Sequence, residues 1–317
     1  MTKSEREDIE KKQKPYKHSA IFQLVSSRVG LKEDAEYKDL YNPRDPYGES
    51  LRPLAVRNFK RFVATIYHIL VAEGKSFDLI IGAGDSGIGM AKLTEMVYQQ
   101  TNLQSPIRVN LPIVRFEYTK ITHPDQPLKL MDNSVLLPDA KVALQDLSKL
   151  ENILFVDDEI KNGITAGESV KVAFAAVAPE KRGLHPHVTI VAEDQGFEPE
   201  KFSDGVTAEI YSFAEQIKDM FGVVGYIVPW SIERQIKEHF NEVEMGNKNR
   251  INALLNLPGK ETYEIDGMTL YKPVLSNAKT ERAKKEIPNF ASLQKEFRES
   301  VKQLISEAIE EYTQTTK

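Results

Sequence analysis

Ile153-Leu154-Phe155-Val156-Asp157-Asp158-Glu159-Ile160-Lys161-Asn162-Gly163-Ile164-Thr165 is the stretch from which the rest of the chain can be read. Its first four residues, Ile153 to Val156, are apolar without alternation, as suits a strand buried on both faces in a parallel sheet. Asp157 and Asp158 stand where that strand emerges. Gly163 then turns the chain into a run of small residues, which predicts a helix over 163–177. Amides at a helix N-terminus are unpaired and lie at the positive end of the dipole, so the loop Lys161, Asn162, Gly163, Ile164 and Thr165 suits a phosphate. Thr165 adds a hydroxyl and Lys161 a charge. Two adjacent carboxylates accept hydrogen bonds from vicinal hydroxyls or hold a hydrated divalent ion. Phosphate and diol recognition in one loop points to a ribose 5-phosphate group. An ordinary strand–loop–helix junction with an aspartate at the cap has the same outline.

Upstream lies a second junction of this kind, Phe77-Asp78-Leu79-Ile80-Ile81-Gly82-Ala83-Gly84-Asp85-Ser86-Gly87. Its apolar run 77–81 predicts a buried strand, and its glycines a loop opening a helix. Before it, Leu54, Val56, Phe59, Phe62, Val63, Ile66, Ile69 and Leu70 recur at helical spacing, and Gly74 is placed to stop that helix. Further strands are predicted over 107–117, 188–192 and 208–213. Strands alternating with helices imply an α/β fold with a doubly wound, mostly parallel sheet, whose sites sit at the carboxyl ends of the strands. Residues 1–50 read as a tail and loop segment, charged and solvated over 1–17 and turn-rich over 41–53. Residues 51–230 form the expected core. Residues 231–317 form a C-terminal extension, mostly helical and closing on an amphipathic helix over 290–312. The polar stretch 118–140 is long for an internal loop, and such loops are often functional.

The segment 153–165 resembles the signature of type I phosphoribosyltransferases: an apolar strand, two acidic residues, then a phosphate loop. The resemblance implies that Asp157 and Asp158 hold the ribose hydroxyls of phosphoribosyl pyrophosphate (PRPP), with Asp158 the candidate catalytic group. It implies that Lys161 to Thr165 hold the 5-phosphate. The loop Ala83, Gly84, Asp85, Ser86 and Gly87 stands where the family contacts pyrophosphate, and about 70 residues separate the two motifs, as in the family. The stretch 118–140 stands where the family has a mobile hood, and Arg115 and Lys120 flank it as further pyrophosphate candidates. Lys161-Asn162 departs from the family pattern, which has Thr or Asp followed by Thr or Ser. Relatives acting on 6-oxopurines carry Asp at the position of Lys161, so its absence argues against that substrate class. Glu193, Asp194 and Gln195 follow a strand and are candidates for reading a base. Tyr226 and Trp230 lie in a run that faintly resembles the base-stacking region of the family's purine enzymes, although rings of that kind also fill cores. Mg²⁺ is implied as cofactor, coordinated by Asp157 and Asp158 directly or through water. PRPP and a small-molecule base are the implied partners, and a homodimer is an expectation.

Three other readings compete. Gly82-Ala83-Gly84-Asp85-Ser86-Gly87 is also a literal G-x-G-x-x-G, the dinucleotide fingerprint. Its acidic partner should end the next strand about 20 residues on, whereas Glu117 lies about 30 residues past Gly87. The run Ile153 to Glu159 also resembles the opening strand of a response-regulator receiver, but the region 198–208 supplies no strand ending in an acceptor aspartate. A regulator that keeps the fold and senses PRPP or a nucleotide without catalysis is motivated by Lys161-Asn162 and the long extension.

Composition narrows the classes. The 317 residues are 41% hydrophobic, enough for a sizeable core, and contain no cysteine, so thiolate chemistry and disulfides are excluded. The net charge of −5 suggests no duplex-binding face, and no nucleic acid is expected as a partner. No apolar run approaches the roughly 20 residues that span a bilayer. The charged N-terminus lacks an apolar leader core, so a cytoplasmic location is expected. His185 and His187 alternate at a predicted strand start with no carboxylate at ligand spacing, and the other histidines are scattered. No G-x-S-x-G elbow occurs.

Overall fold

The computed structural model describes residues 20–40, 51–111, 138–160, 163–194, 197, 202, 206–214, 226–241, 245–265, 268–274 and 277–314. Two helices, α1 (Ala20–Ser26) and α2 (Leu31–Leu40), precede a long one, α3 (Arg52–Tyr67), which runs into a π-helical turn over His68–Ala72. The core then alternates: β1 (Leu79–Ala83), α4 (Gly84–Thr101), β2 (Ile107–Leu111), α5 (Pro138–Asp146), β3 (Leu150–Ile160), α6 (Ile164–Ala176), β4 (Arg182–Asp194) and β5 (Thr207–Ser212). Five parallel strands form one sheet in the order β2-β1-β3-β4-β5. The doubly wound α/β expectation is therefore met.

Both faces of the sheet are covered, which is why its central strands β1 and β3 carry unbroken apolar runs. On one face Ile80, Leu154, Val156, Val191 and Tyr211 join an apolar cluster with residues of α3 and α4. On the other, Ile81, Val109, Phe155 and Ile190 pack with Leu144 of α5 and Val170 of α6. The predicted helix over 54–72 is found from Arg52 to Ala72, its last five residues π-helical, and Gly74 follows in the left-handed region, φ +65°.

The strand predicted over 153–156 is longer than its apolar run. β3 continues through the two aspartates to Ile160, because Glu159 and Ile160 pair with Glu193 and Asp194 of β4. Between Val156 and Glu159 the register shifts: three steps along β3 match two along β4, from Val191 to Glu193. Asp157 and Asp158 therefore occupy a β-bulge, a device that re-aims side chains at sheet edges and sites.

The C-terminal segment contributes α7 (Trp230–Lys237), α8 (Asn247–Leu254), α9 (Ala278–Glu286) and α10 (Phe290–Gln314). It also holds an antiparallel hairpin, β6 (Gly259–Ile265) and β7 (Met268–Val274), which helical periodicity did not reveal. Asp266-Gly267 between them is a hairpin dipeptide and was the available signal. Phe297, Val301 and Ile305 of α10 and Val25 of α1 belong to the same apolar cluster as the sheet.

α3 is buried even on its charged side, and paired carboxylates make that tolerable. Arg57 and Arg61 both reach Asp34 of α2 at 2.7 Å. Lys60 meets Glu33 at 2.7 Å, and Glu307 and Glu311 of α10 at 3.1 and 2.8 Å. Burial alone would lower the Lys60 pKa. Hydrogen bonds to Glu311 and Glu33 overcome that and hold it above its ordinary value.

Candidate functional site

A sheet of order 2-1-3-4-5 has a topological switch point between β1 and β3, where successive connections leave in opposite directions. The two sequence motifs meet there. β1 and β3 are neighbours, with Gly82 opposite Val156, so the aspartate bulge and the expected loop over 83–87, which is in fact the end of β1 and the first turn of α4, leave adjacent strand ends. Gly84, at φ +68°, makes the turn from strand to helix.

Close packing fixes the first turn of α4 onto β3. A Cβ on Gly87 would lie 3.0 Å from the Val156 carbonyl oxygen and 3.4 Å from Asp157 Oδ1. Ser86 crosses the same gap, its hydroxyl donating to Asp157 Oδ1 at 2.9 Å. That oxygen also accepts the Asp158 amide at 2.9 Å. Both aspartates are buried, 8% and 5% exposed. Burial pushes the Asp157 carboxyl well above its ordinary range, and the Asp158 carboxylate adds to the rise. The hydrogen bonds from Ser86 and the Asp158 amide pull the other way. Two neighbouring carboxylates out of water repel each other, and a cation or a pair of hydroxyl donors relieves that repulsion.

The N-termini of two helices flank the pair. The residues at their caps are Ala83 for α4 and Gly163 for α6, and neither has a side chain able to accept from the first-turn amides. The expected aspartate cap of an ordinary junction is absent here; the cap is a glycine at φ +69°. Anions are favoured at such termini. Ile164 and Thr165 begin α6, and the Thr165 carbonyl accepts from the Ser169 hydroxyl at 2.7 Å.

Glu193 and Asp194 end β4 beside the bulge, both buried. Asp194 Oδ1 accepts the Phe197 amide at 2.8 Å, so that carboxylate shapes the following turn. Tyr226 packs against the apolar cluster on the α3 face. Trp230 opens α7 at the surface, 40% exposed, with Lys237 Nζ 5.4 Å above its ring. Arg115, Lys120, Lys161, Asn162 and Gln195, the side chain of Asp85 and nearly all of the stretch 118–140 lie outside the described residues.

Sequence reasoning missed two contributors. Phe197 presses its ring against Gly163, where a Cβ would sit 2.3 Å from Cε2. Asn252 of α8 reaches Gly89 of α4, one turn from Ser86, with its Oδ1 3.1 Å from where a Cβ would be. A lone aromatic and a lone asparagine carried no periodic signal. His187 has an unforeseen carboxylate partner, Glu209 at 2.8 Å, supplied by the adjacent strand rather than by local spacing.

The NAD reading needs an acid at the end of β2; the described residues Ile107-Arg108-Val109-Asn110-Leu111 contain none, and Glu117 lies outside the described residues. The receiver reading needs Ile153–Val156 in the opening strand, whereas β3 is the third strand in sequence and the centre of the sheet. Among the described residues, no helix is long and apolar enough to cross a membrane.

No family model matches this chain. No curated protein matches it either. Among solved structures, it is similar to an adenine phosphoribosyltransferase at 12% identity and TM-score 0.28, over 51% of this chain and 80% of that one. It is also similar to the adenine phosphoribosyltransferase of Saccharomyces cerevisiae complexed with an imino-altritol bisphosphate and adenine. That likeness has 12% identity and TM-score 0.30, over 57% of this chain and 99% of that one. Overlaps of that size assign neither family nor activity.

Proposed function

We propose that this chain binds PRPP across the β1–β3 switch point and transfers its ribose 5-phosphate to a nitrogenous base, releasing pyrophosphate. The observation that carries the reading is the buried Asp157–Asp158 pair, held between two helix N-termini whose caps are Ala83 and Gly163. One ligand satisfies all three features: a diol for the carboxylates, a 5-phosphate for α6 and a pyrophosphate for α4.

In this reading the residues mostly position and stabilise. The α6 amides and Thr165 hold the 5-phosphate. Asp157 and Asp158 accept the ribose hydroxyls, and their charge favours the positive character that grows at the anomeric carbon as pyrophosphate departs. The α4 N-terminus takes the charge of the leaving group. Orientation of this kind supplies much of a transfer reaction's rate. The donor set also fits a hydrated Mg²⁺, which takes one or two carboxylates plus substrate phosphates and water. Bound there, Mg²⁺ would neutralise phosphate charge. Glu193 and Asp194, which end β4 beside the bulge, are the candidates for reading a base.

The test is pyrophosphate release from PRPP and Mg²⁺ with a panel of bases, comparing wild type with Asp157→Asn/Asp158→Asn. Base-dependent release lost in the double variant supports the reading. A second reading, a PRPP sensor without turnover, is favoured by Lys161-Asn162 in the phosphate loop. Saturable PRPP binding without release on any base would select it. Binding of neither PRPP nor nucleotides, with the double variant indistinguishable from wild type, would remove both.

A further inference from the structure

We propose that Ser86 couples the two halves of this site, so that pyrophosphate and ribose 5-phosphate each raise the protein's affinity for the other. The inference rests on the reading above, in which residues 83–87 take pyrophosphate and 157–165 take the ribose phosphate.

The geometry gives the coupling a physical carrier. Asp157 Oδ1 is anchored twice, by its own strand through the Asp158 amide and by the first turn of α4 through the Ser86 hydroxyl, each at 2.9 Å. Removing the hydroxyl takes away the anchor from α4 and keeps the one from Asp158. The backbone offers little slack, since Gly87 already lies against the Val156 carbonyl and Asp157 Oδ1. Any ligand that orders residues 83–87 therefore orders the Asp157 carboxylate, and a sugar held by Asp157 orders Ser86 in return. Linkage requires the two effects to be equal. Charge repulsion between bound pyrophosphate and the aspartates works against this coupling. Without the hydroxyl Asp157 is more readily protonated, which weakens that repulsion, so coupling lost in the hydroxyl-free variants is not a charge effect. Ser86 acts through Asp157 and is a positioning residue.

The experiment is a calorimetric cycle at constant Mg²⁺. The Kd of ribose 5-phosphate is measured with and without saturating pyrophosphate for wild type, Ser86→Ala, Ser86→Thr and Ser86→Val. The expected result is an affinity ratio at least about fivefold more favourable in wild type than in Ser86→Ala. Ser86→Thr should keep most of that advantage, and Ser86→Val, its match in shape without the hydroxyl, should lose it. Equal ratios in wild type and both hydroxyl-free variants, with both ligands binding, would overturn the coupling and leave the proposed function standing. Failure of wild type to bind either ligand would overturn the functional reading itself, and the coupling with it.

Discussion

Gly82 and Gly87 meet where β1 turns into α4: a Cβ on Gly82 would lie 2.2 Å from the Gly87 carbonyl oxygen and 2.6 Å from the Ala91 Cβ. The obstacle is mainly backbone, so no side-chain rotation relieves it. Gly82→Ala must push α4 away from β1, and with it Ser86 away from Asp157. The expected cost is about 3 kcal/mol or more in denaturant unfolding. Whatever folded protein remains should bind pyrophosphate and ribose 5-phosphate more weakly than wild type.

Gly163 is constrained twice, by its φ of +69° and by the Phe197 ring. Gly163→Ala should therefore cost about 1–2 kcal/mol for the backbone alone, and more for the overlap. Phe197→Leu trims the ring and removes only the second penalty. A double-mutant cycle on stability separates them: Gly163→Ala should be measurably less harmful in the Phe197→Leu background. An additive cycle would show that the ring does not restrain Gly163.

The layered α/β plan was legible because the central strands β1 and β3 carry runs of apolar residues and the junctions that follow them carry glycine. The two loops were legible for the same reason, and their meeting followed once β1 and β3 proved adjacent. The bulge was not, since it depends on how Glu159 and Ile160 pair with β4, a relationship between distant residues. The burial of Arg57, Lys60 and Arg61 was hidden too. Their partners lie on α2 and α10, and a basic stripe on a helix ordinarily reads as a solvated face. Phe197 and Asn252 lie in the same category: each touches a glycine of the site region across a long sequence separation, which leaves no trace in local pattern.

Asp157 holds its place against its own electrostatics. Its pKa is raised in the folded state by burial and by Asp158, so the folded chain binds more protons than the unfolded one. The stability this carboxylate withholds is therefore absent at low pH and grows as pH rises from about 3.8 through the elevated folded value. Asp157→Asn keeps an oxygen to accept from Ser86 and removes the charge. It should stabilise the protein by about 1 kcal/mol or more at pH 7, a gain that vanishes by about pH 3.5, while weakening binding of ribose 5-phosphate. Thermal melts across that range check the stability, and calorimetry the binding. A lower melting temperature at pH 7 would mean that the pair is not repulsive in the folded chain.

Glu209 behaves in the opposite sense. Burial would raise its pKa, but hydrogen bonds from His187, Lys75 and Thr189 overcome this and pull it to about 2. Its partners come from β4 and from the turn after α3, and Tyr211 adds a link to Glu73 at 2.8 Å. The network thus ties β4, β5 and that turn together at the start of the strands, away from the aspartate bulge. A depressed carboxylate contributes stability that is present above its unfolded pKa, about 4.5, and is lost as pH falls towards about 2. Glu209→Gln should be less stable than wild type at pH 7. It should also lose less stability between pH 4.5 and 2, so the two urea-unfolding curves converge at the acid end. Ligand binding at the β1–β3 switch point should stay unchanged in Glu209→Gln at 25 °C. A variant whose stability parallels wild type throughout that window would show that Lys75 and His187 gain nothing from the Glu209 charge.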